Sequence, residues 1–227
     1  MRIIKVIKQL QIIYCLANFL FGPRIKIIKF TPYYFHPKRS DLLQFFNMRI
    51  LREDTAAVVV DIQERLLPHI HEGDILLRNC LKLIEGLKIL SVPLIITQQY
   101  SRGLGPTVPS IIQMFPDFRY IEKISFSCCE EPAFEMEIDQ LCKTDIIICG
   151  IESHVCVLQT CLDLLSSGRR PVVVEDCVSS RKPNDKQIAI ERMRQEGARI
   201  TTMESLLFEL TRLAGNDIFK RISGIVK

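Results

Sequence analysis

The residues best suited to chemistry lie in the stretch 145–160, DIIICGIESHVCVLQT. Its apolar run 146–149 is too short for a helix and reaches Gly150. A polar turn then opens an amphipathic segment with Cys156 near its start, the pattern of a buried strand feeding a helix. A thiol one turn inside a helix lies near free backbone N–H groups and the positive end of the helix dipole, and both favour the thiolate. A hydrolytic cysteine also needs a proton acceptor, a cation and donors for an oxyanion. Asp61, closing the run AAVVVD, is the candidate base. Lys123, which follows YIE, is the candidate cation, able to lower the thiol pKa and to hold the aspartate. The turn before Cys156 supplies backbone N–H groups.

Each residue alone has a plainer explanation. A cysteine in an apolar helix is usually a packing residue, and Cys80, Cys142, Cys149, Cys161 and Cys177 are read so. Asp61 alone reads as a turn cap and Lys123 as a solvated charge. Cys128 and Cys129 form a rival thiol pair, placed in a loop with no helix N-terminus to activate it. His154 by itself does not make a Cys–His dyad.

The elements around these residues bring them together. Residues 56–60 read as a strand buried on both faces, with Asp61 at its C-terminal end. Asp74 is placed as the cap of a helix over 75–90, whose Leu76, Leu77, Cys80, Leu83, Ile84 and Leu87 form an apolar stripe. A second strand at 94–97 leads into a loop over 98–109 that contains Gly103, Gly105, Pro106 and Pro109. A short helix at 110–114 precedes a third strand at 120–122, which delivers Lys123. Glu131 and Pro132 open a helix to Leu141. The fourth strand spans 145–150 and its helix 153–167, closed by Gly168. A fifth strand at 171–175 ends at Asp176, followed by a helix at 184–196, a sixth strand at 199–201 and a last helix at 205–213 ended by Gly215.

Strands alternating with helices predict an α/β fold: a doubly wound, parallel six-stranded sheet in the order 3-2-1-4-5-6, a Rossmann-like three-layer sandwich. In that order strands one and four are neighbours where the winding reverses, so Asp61 and Cys156 meet at one crevice although 95 positions apart.

Composition narrows the function. Hydrophobic residues make up 48% and charged residues 25% of the 227, the profile of a soluble globular protein. The formal charge of +4 is uneven: residues 1–47 hold eight Lys and Arg against one acid, +7, and the remainder carries 22 basic and 25 acidic residues, −3. A nucleic-acid partner is not expected of the globular part. The nine cysteines are odd in number and scattered through strand-like and helix-like runs, which argues for free thiols in a reducing compartment. No CxxC pair occurs, and the pair His69 and His71 reads as a solvated loop, so no metal site is expected. Strand one ends in Asp-Ile-Gln with no GxGxxG after it, which removes a dinucleotide site.

Residues 1–47 form a basic, apolar extension, and residues 48–227 the domain. The apolar stretch 10–21 is too short for a spanning helix, so no stable membrane span is expected. Three readings compete for the extension. A secretory signal would start at Arg2, Lys5 and Lys8 but lacks a small-residue cleavage pattern. A mitochondrial transit segment would be basic and nearly acid-free, yet Arg and Ser are few. The preferred reading leaves the extension out of the working protein, because Met48 precedes RILREDTAAVVVDIQ, a natural domain start. The expected location is cytoplasmic, with mitochondrial as the alternative.

VVVDIQERL at 58–66, EKISFSC at 122–128 and GIESHVCVLQT at 150–160 resemble the isochorismatase-like cysteine hydrolases. TQQYSRGLGPTVP at 97–109 is similar to the subgroup of isochorismatase domain-containing proteins. The resemblance covers about Arg52 to Leu213. It implies a catalytic triad of Asp61, Lys123 and Cys156, a cis peptide between Ile151 and Glu152, and an oxyanion hole from the N–H groups of Glu152 and Cys156. In the amidase members, as the resemblance implies, the cysteine attacks an amide carbonyl, the aspartate protonates the departing amine, and water cleaves the thioester. Nicotinamidases of the family carry an Asp-x-His metal motif after strand two, where this chain has Gln98, Gln99 and Tyr100. No metal or other cofactor is therefore expected. Isochorismatases proper act on a vinyl ether without needing the thiol, and Cys156 argues against that reaction. Gln63, Tyr100 and Phe126 are placed along the substrate pocket by position. The expected protein is a metal-independent hydrolase of a small-molecule amide or related acyl compound, and a homo-oligomer as family members commonly are. The alternative is a binding or scaffold protein that keeps the fold with weak turnover.

Overall fold

A computed structural model describes residues 48–227, so the readings of residues 1–47 lie outside the described residues. Among the described residues there are six strands: β1 (Thr55–Val60), β2 (Leu94–Gln99), β3 (Ile121–Lys123), β4 (Asp145–Ile151), β5 (Arg170–Ser179) and β6 (Arg199–Thr201). They form one sheet in the order β3-β2-β1-β4-β5-β6, and every pairing is parallel. The expected doubly wound topology is the one observed. Six helices of nine or more residues accompany it: α1 (Gly73–Ile89), α2 (Pro132–Leu141), α3 (Leu158–Ser166), α4 (Pro183–Glu196), α5 (Met203–Thr211) and α6 (Asp217–Val226).

The period-2 alternation of the strands divides the interior into two cores. Ala57 and Val59 of β1, with Ile147 and Cys149 of β4, face the core built with α1, α5 and Ile222 of α6. Ala56, Val58 and Val60, with Ile146 and Ile148, face the core built with α2, α3 and α4. Both central strands are buried along their whole length, which is why they read as continuous β-branched runs. Each fully buried Val or Ile stabilises the sheet by about 1.5–3 kcal/mol, enough in sum to carry charged groups at the strand ends.

At the end of their pairing, Val60 of β1 lies opposite Gly150 of β4. A Cβ at Gly150 would lie 2.1 Å from the Val60 carbonyl oxygen, and its φ is +119°, so only glycine fits there. Asp61 follows Val60 directly, and Glu152 follows Ile151 at the end of β4; these two residues start the turns that build the crevice.

Several boundaries differ from the sequence-based expectation. α1 begins at Gly73, with Glu72 in the left-handed region at its N-cap, and Asp74 falls in its first turn. β5 runs on through Glu175 and Asp176 to Ser179, because its pairing with β4 shifts register between Ile148 and Gly150 and lets the polar pair pass. The segment after β4 does not enter an α-helix directly. Residues Ser153–Val157 form a π-turn, and α3 follows from Leu158. The last predicted helix is Met203–Thr211, and α6 follows it unforeseen, packed on α1 and α5.

Candidate active site

The C-terminal ends of β1, β3 and β4 deliver Asp61, Lys123 and Cys156 to one place. Asp61 follows β1 with φ +50°, a conformation sparsely populated by non-glycine residues and often kept at functional sites. The turn aims its carboxylate inward, where it is fully buried. Lys123, the last residue of β3, is 1% exposed, and its Nζ stands 2.7 Å from Asp61 Oδ2. Thr97 Oγ1 on β2 donates to Asp61 Oδ1 at 2.8 Å. Asp61 Oδ2 has no aligned hydrogen-bond donor, so its contact with Nζ is an ion pair outside hydrogen-bond alignment.

Lys123 is surrounded by acceptors. Its Nζ donates to Gln99 Oε1 at 2.6 Å and to the carbonyls of Ser125 and Phe126, each at 3.2 Å. Burial by itself pulls an ammonium pKa down, but the charge of Asp61 leads the causes that outweigh it and hold Lys123 above its ordinary range. Burial pushes the Asp61 carboxyl above the ordinary range, with Lys123, Thr97 and Cys156 holding the rise in check.

Cys156 sits inside the π-turn and is 7% exposed. The sequence pointed to a thiolate favoured by the helix N-terminus. The structure reverses that: burial first, and the Asp61 charge second, push the thiol up to about 12, and Lys123 only partly opposes them. A thiol pushed that far up stays protonated near neutral pH. The bond between Ile151 and Glu152, just before this turn, is cis. Glu152 is itself buried, its Oε2 accepting from Arg181 N at 3.1 Å and Arg181 Nε at 3.0 Å. His154 turns away toward β5 and α4, with Nδ1 3.0 Å from Ser180 Oγ and Nε2 3.8 Å from Asp185 Oδ2.

The three pocket candidates divide. Tyr100 and Phe126 are about half exposed, at 51% and 54%, on the two segments that leave β2 and β3 beside Lys123. Gln63 is fully buried, and its amide is spent on backbone: Nε2 donates to Gln99 O at 3.0 Å and Gly105 O at 2.6 Å, and Oε1 accepts from Gln99 N at 2.8 Å. It shapes the loop after β2 from behind.

Sequence reasoning missed what Thr97 and Gln99 do, and placed Cys128 in a loop. The available signal was polar side chains at the end of the otherwise apolar β2. Cys128 does not lie in an open loop. It is fully buried, starts a 3-10 turn, and its Sγ is 3.9 Å from Thr97 Oγ1. Its N–H is received by Thr160 Oγ1 at 2.9 Å, one helical turn beyond Cys156. Burial, then Asp61, raises its thiol to about 12 as well. Among the described residues, no group of three or more His, Cys, Asp or Glu side chains could hold a metal ion.

Residues 55–205, from the start of β1 into α5, match the model of the isochorismatase domain. The chain belongs to the isochorismatase family. Within it, the chain is 38% identical over 180 residues to isochorismatase domain-containing protein 2A of Mus musculus, covering 79% of this chain and 85% of that one. The fold matches the MAR1 ribonuclease of Caenorhabditis elegans with a TM-score of 0.74 at 36% identity, over 78% of this chain and 92% of that one. It also matches the YcaC gene product of Escherichia coli, described as an octameric hydrolase of unknown specificity, with a TM-score of 0.74 at 29% identity, over 78% and 89% of the two chains. The architecture is therefore that of the isochorismatase-family hydrolases, and the subgroup is that of the isochorismatase domain-containing proteins.

Proposed function

We propose that this family member is a metal-independent cysteine hydrolase that cleaves a small amide or related acyl compound through a thioester on Cys156. The observation that carries the reading is the Cys156 thiol held beside Asp61, whose Oδ2 has no aligned donor, with the enclosed Lys123 as counter-ion. Sγ attacks the carbonyl carbon while Asp61 takes the thiol proton, and the new oxyanion is received by the N–H groups of Glu152 and Cys156. Collapse of the adduct breaks the C–N bond, and Asp61 returns its proton to the amine. Water then attacks the thioester, giving one proton to Asp61, which restores the thiol as the carboxylic acid leaves. Lys123 stays charged throughout, because Asp61 is its counter-ion at 2.7 Å and three further oxygens accept from it within 3.2 Å. Tyr100 and Phe126 form the rim that admits the substrate, and Gln63 sets the loop behind it.

The raised Cys156 pKa favours a second reading, a small-molecule binding protein with weak turnover. The nuclease name of the nematode relative finds no charge counterpart here, since residues 48–227 carry −3. A homo-oligomer is supported by the octameric relative and by the exposed Tyr100, Ile124 and Phe126 near Lys123. Eight free thiols among the described residues support a reducing, cytoplasmic setting, while the mitochondrial alternative rests on residues 1–47.

A panel of small primary amides, read by ammonia release and by intact mass, tests the reaction. An acyl adduct on Cys156 and loss of ammonia release in Cys156→Ser support the hydrolase. Binding without adduct or ammonia leaves the binding protein as the answer.

A further inference from the structure

The loop after β3 turns back on its own lysine, placing the carbonyls of Ser125 and Phe126 against Lys123 Nζ. Something outside the loop must hold it in that shape, since Ile124 and Phe126 are largely exposed and offer little packing. One carboxylate oxygen does so. Glu131 Oε1 accepts from Ile124 N at 2.9 Å, from Ser125 N at 3.2 Å and from Ser125 Oγ at 2.6 Å.

Glu131 occupies the N-cap of α2 yet makes no side-chain cap bond to that helix. A short polar side chain at that position usually accepts from its own helix. Here the side chain reaches back to the loop instead. Those three bonds hold the Glu131 carboxyl below the usual carboxylate range, led by the Ser125 hydroxyl. A second arm comes from Gln99, whose Nε2 donates to Ile124 O at 2.7 Å while its Oε1 receives Lys123.

We propose that Glu131 is a positioning residue for Lys123: by gathering the outward donors of residues 124–125 on one oxygen, it turns the next two carbonyls onto the ammonium and sets where that charge stands. Glu131 touches neither Cys156 nor the substrate. The inference rests on the reading above, in which Lys123 tunes the thiol of Cys156.

The test is the pH-rate profile of iodoacetamide capture at Cys156, followed by peptide mass mapping, with circular dichroism on every variant. Lys123→Ala moves the profile to higher pH. Glu131→Ala moves it the same way by about half a unit, roughly threefold less thiolate at a fixed pH. Glu131→Gln keeps an acceptor oxygen at the same place and restores the profile to nearly that of the wild type. Loss of the Glu131 charge alone would act in the opposite direction, making the thiol more acidic, so an acid shift or no shift in Glu131→Ala overturns the proposal. If Glu131→Ala does not fold, Ser125→Ala removes the shortest of the three contacts and gives a smaller shift to higher pH; an unmoved profile there has the same force. An unmoved profile in Lys123→Ala defeats the underlying reading and this inference together. A shift in Lys123→Ala with none in Glu131→Ala defeats the inference alone.

Discussion

Asp61 and Lys123 come from opposite sides of β2, one at the end of β1 and one at the end of β3, and their side chains close to 2.7 Å with neither open to solvent. Thr97 and Gln99 on the intervening strand each hold one partner. The ion pair is thus built across three strands, and Cys156 meets it from β4.

Lys123→Met leaves Asp61 enclosed without its counter-charge, which costs about 3–5 kcal/mol at pH 7.5. Asp61 has a folded pKa raised above its unfolded value, so the stability linked to it is fully present below the unfolded pKa and is lost as pH rises through the folded one. Removing Lys123 raises the folded pKa further. The deficit of the variant therefore shrinks between pH 7.5 and pH 5, measured by urea unfolding at both. An equal deficit at the two pH values would show that Asp61 is not the group responsible.

Asp61→Asn removes the second-largest cause of the raised thiol pKa and leaves Lys123 unopposed. Capture of Cys156 by iodoacetamide at pH 8 is expected to rise, about tenfold for each unit the pKa falls, while amide turnover is lost. Cys128, fully buried, stays unlabelled in both proteins. Slower capture at Cys156 would mean that Asp61 already draws the proton from the resting thiol.

Gln99→Glu replaces a neutral acceptor 2.6 Å from Lys123 Nζ with a second carboxylate and removes the donor to Ile124 O. Lys123 is then shared between two anions, and its influence on Cys156 weakens. The capture profile should move to higher pH by about one unit; movement to lower pH would contradict the placement of the charge.

Gly150→Ala sets a Cβ against the Val60 carbonyl at a backbone angle that L-residues avoid. The variant should lose at least ~2 kcal/mol of stability in chemical unfolding. Because the strain falls beside both Asp61 and Cys156, turnover should fall further than the folded fraction does. A variant of wild-type stability would show that β1 and β4 can part there without cost.

The strands and their order were legible because a parallel sheet covered on both faces demands continuous apolar, β-branched runs, and AAVVV and IIIC are such runs. The end of β5 was not legible: Glu175 and Asp176 look like a strand terminus, and only the register shift against β4 carries the strand past them. Gln63 was read as a pocket residue by its position after Asp61, whereas its amide closes on the backbone of Gln99 and Gly105, more than 30 residues away in the chain.

By itself the sequence determined the family, the doubly wound order and the meeting of Asp61, Lys123 and Cys156 at one sheet edge, because strand identity and crossover handedness follow from local pattern and chain chirality. The direction in which the thiol pKa is pushed was decided only by the tertiary structure. Helix position argues for a thiolate, but burial and the distance to a buried carboxylate have no signature in residue spacing, and here they prevail. Glu131 reads in the sequence as an ordinary helix-opening residue, and its reach back to Ile124 and Ser125 appears only in the structure.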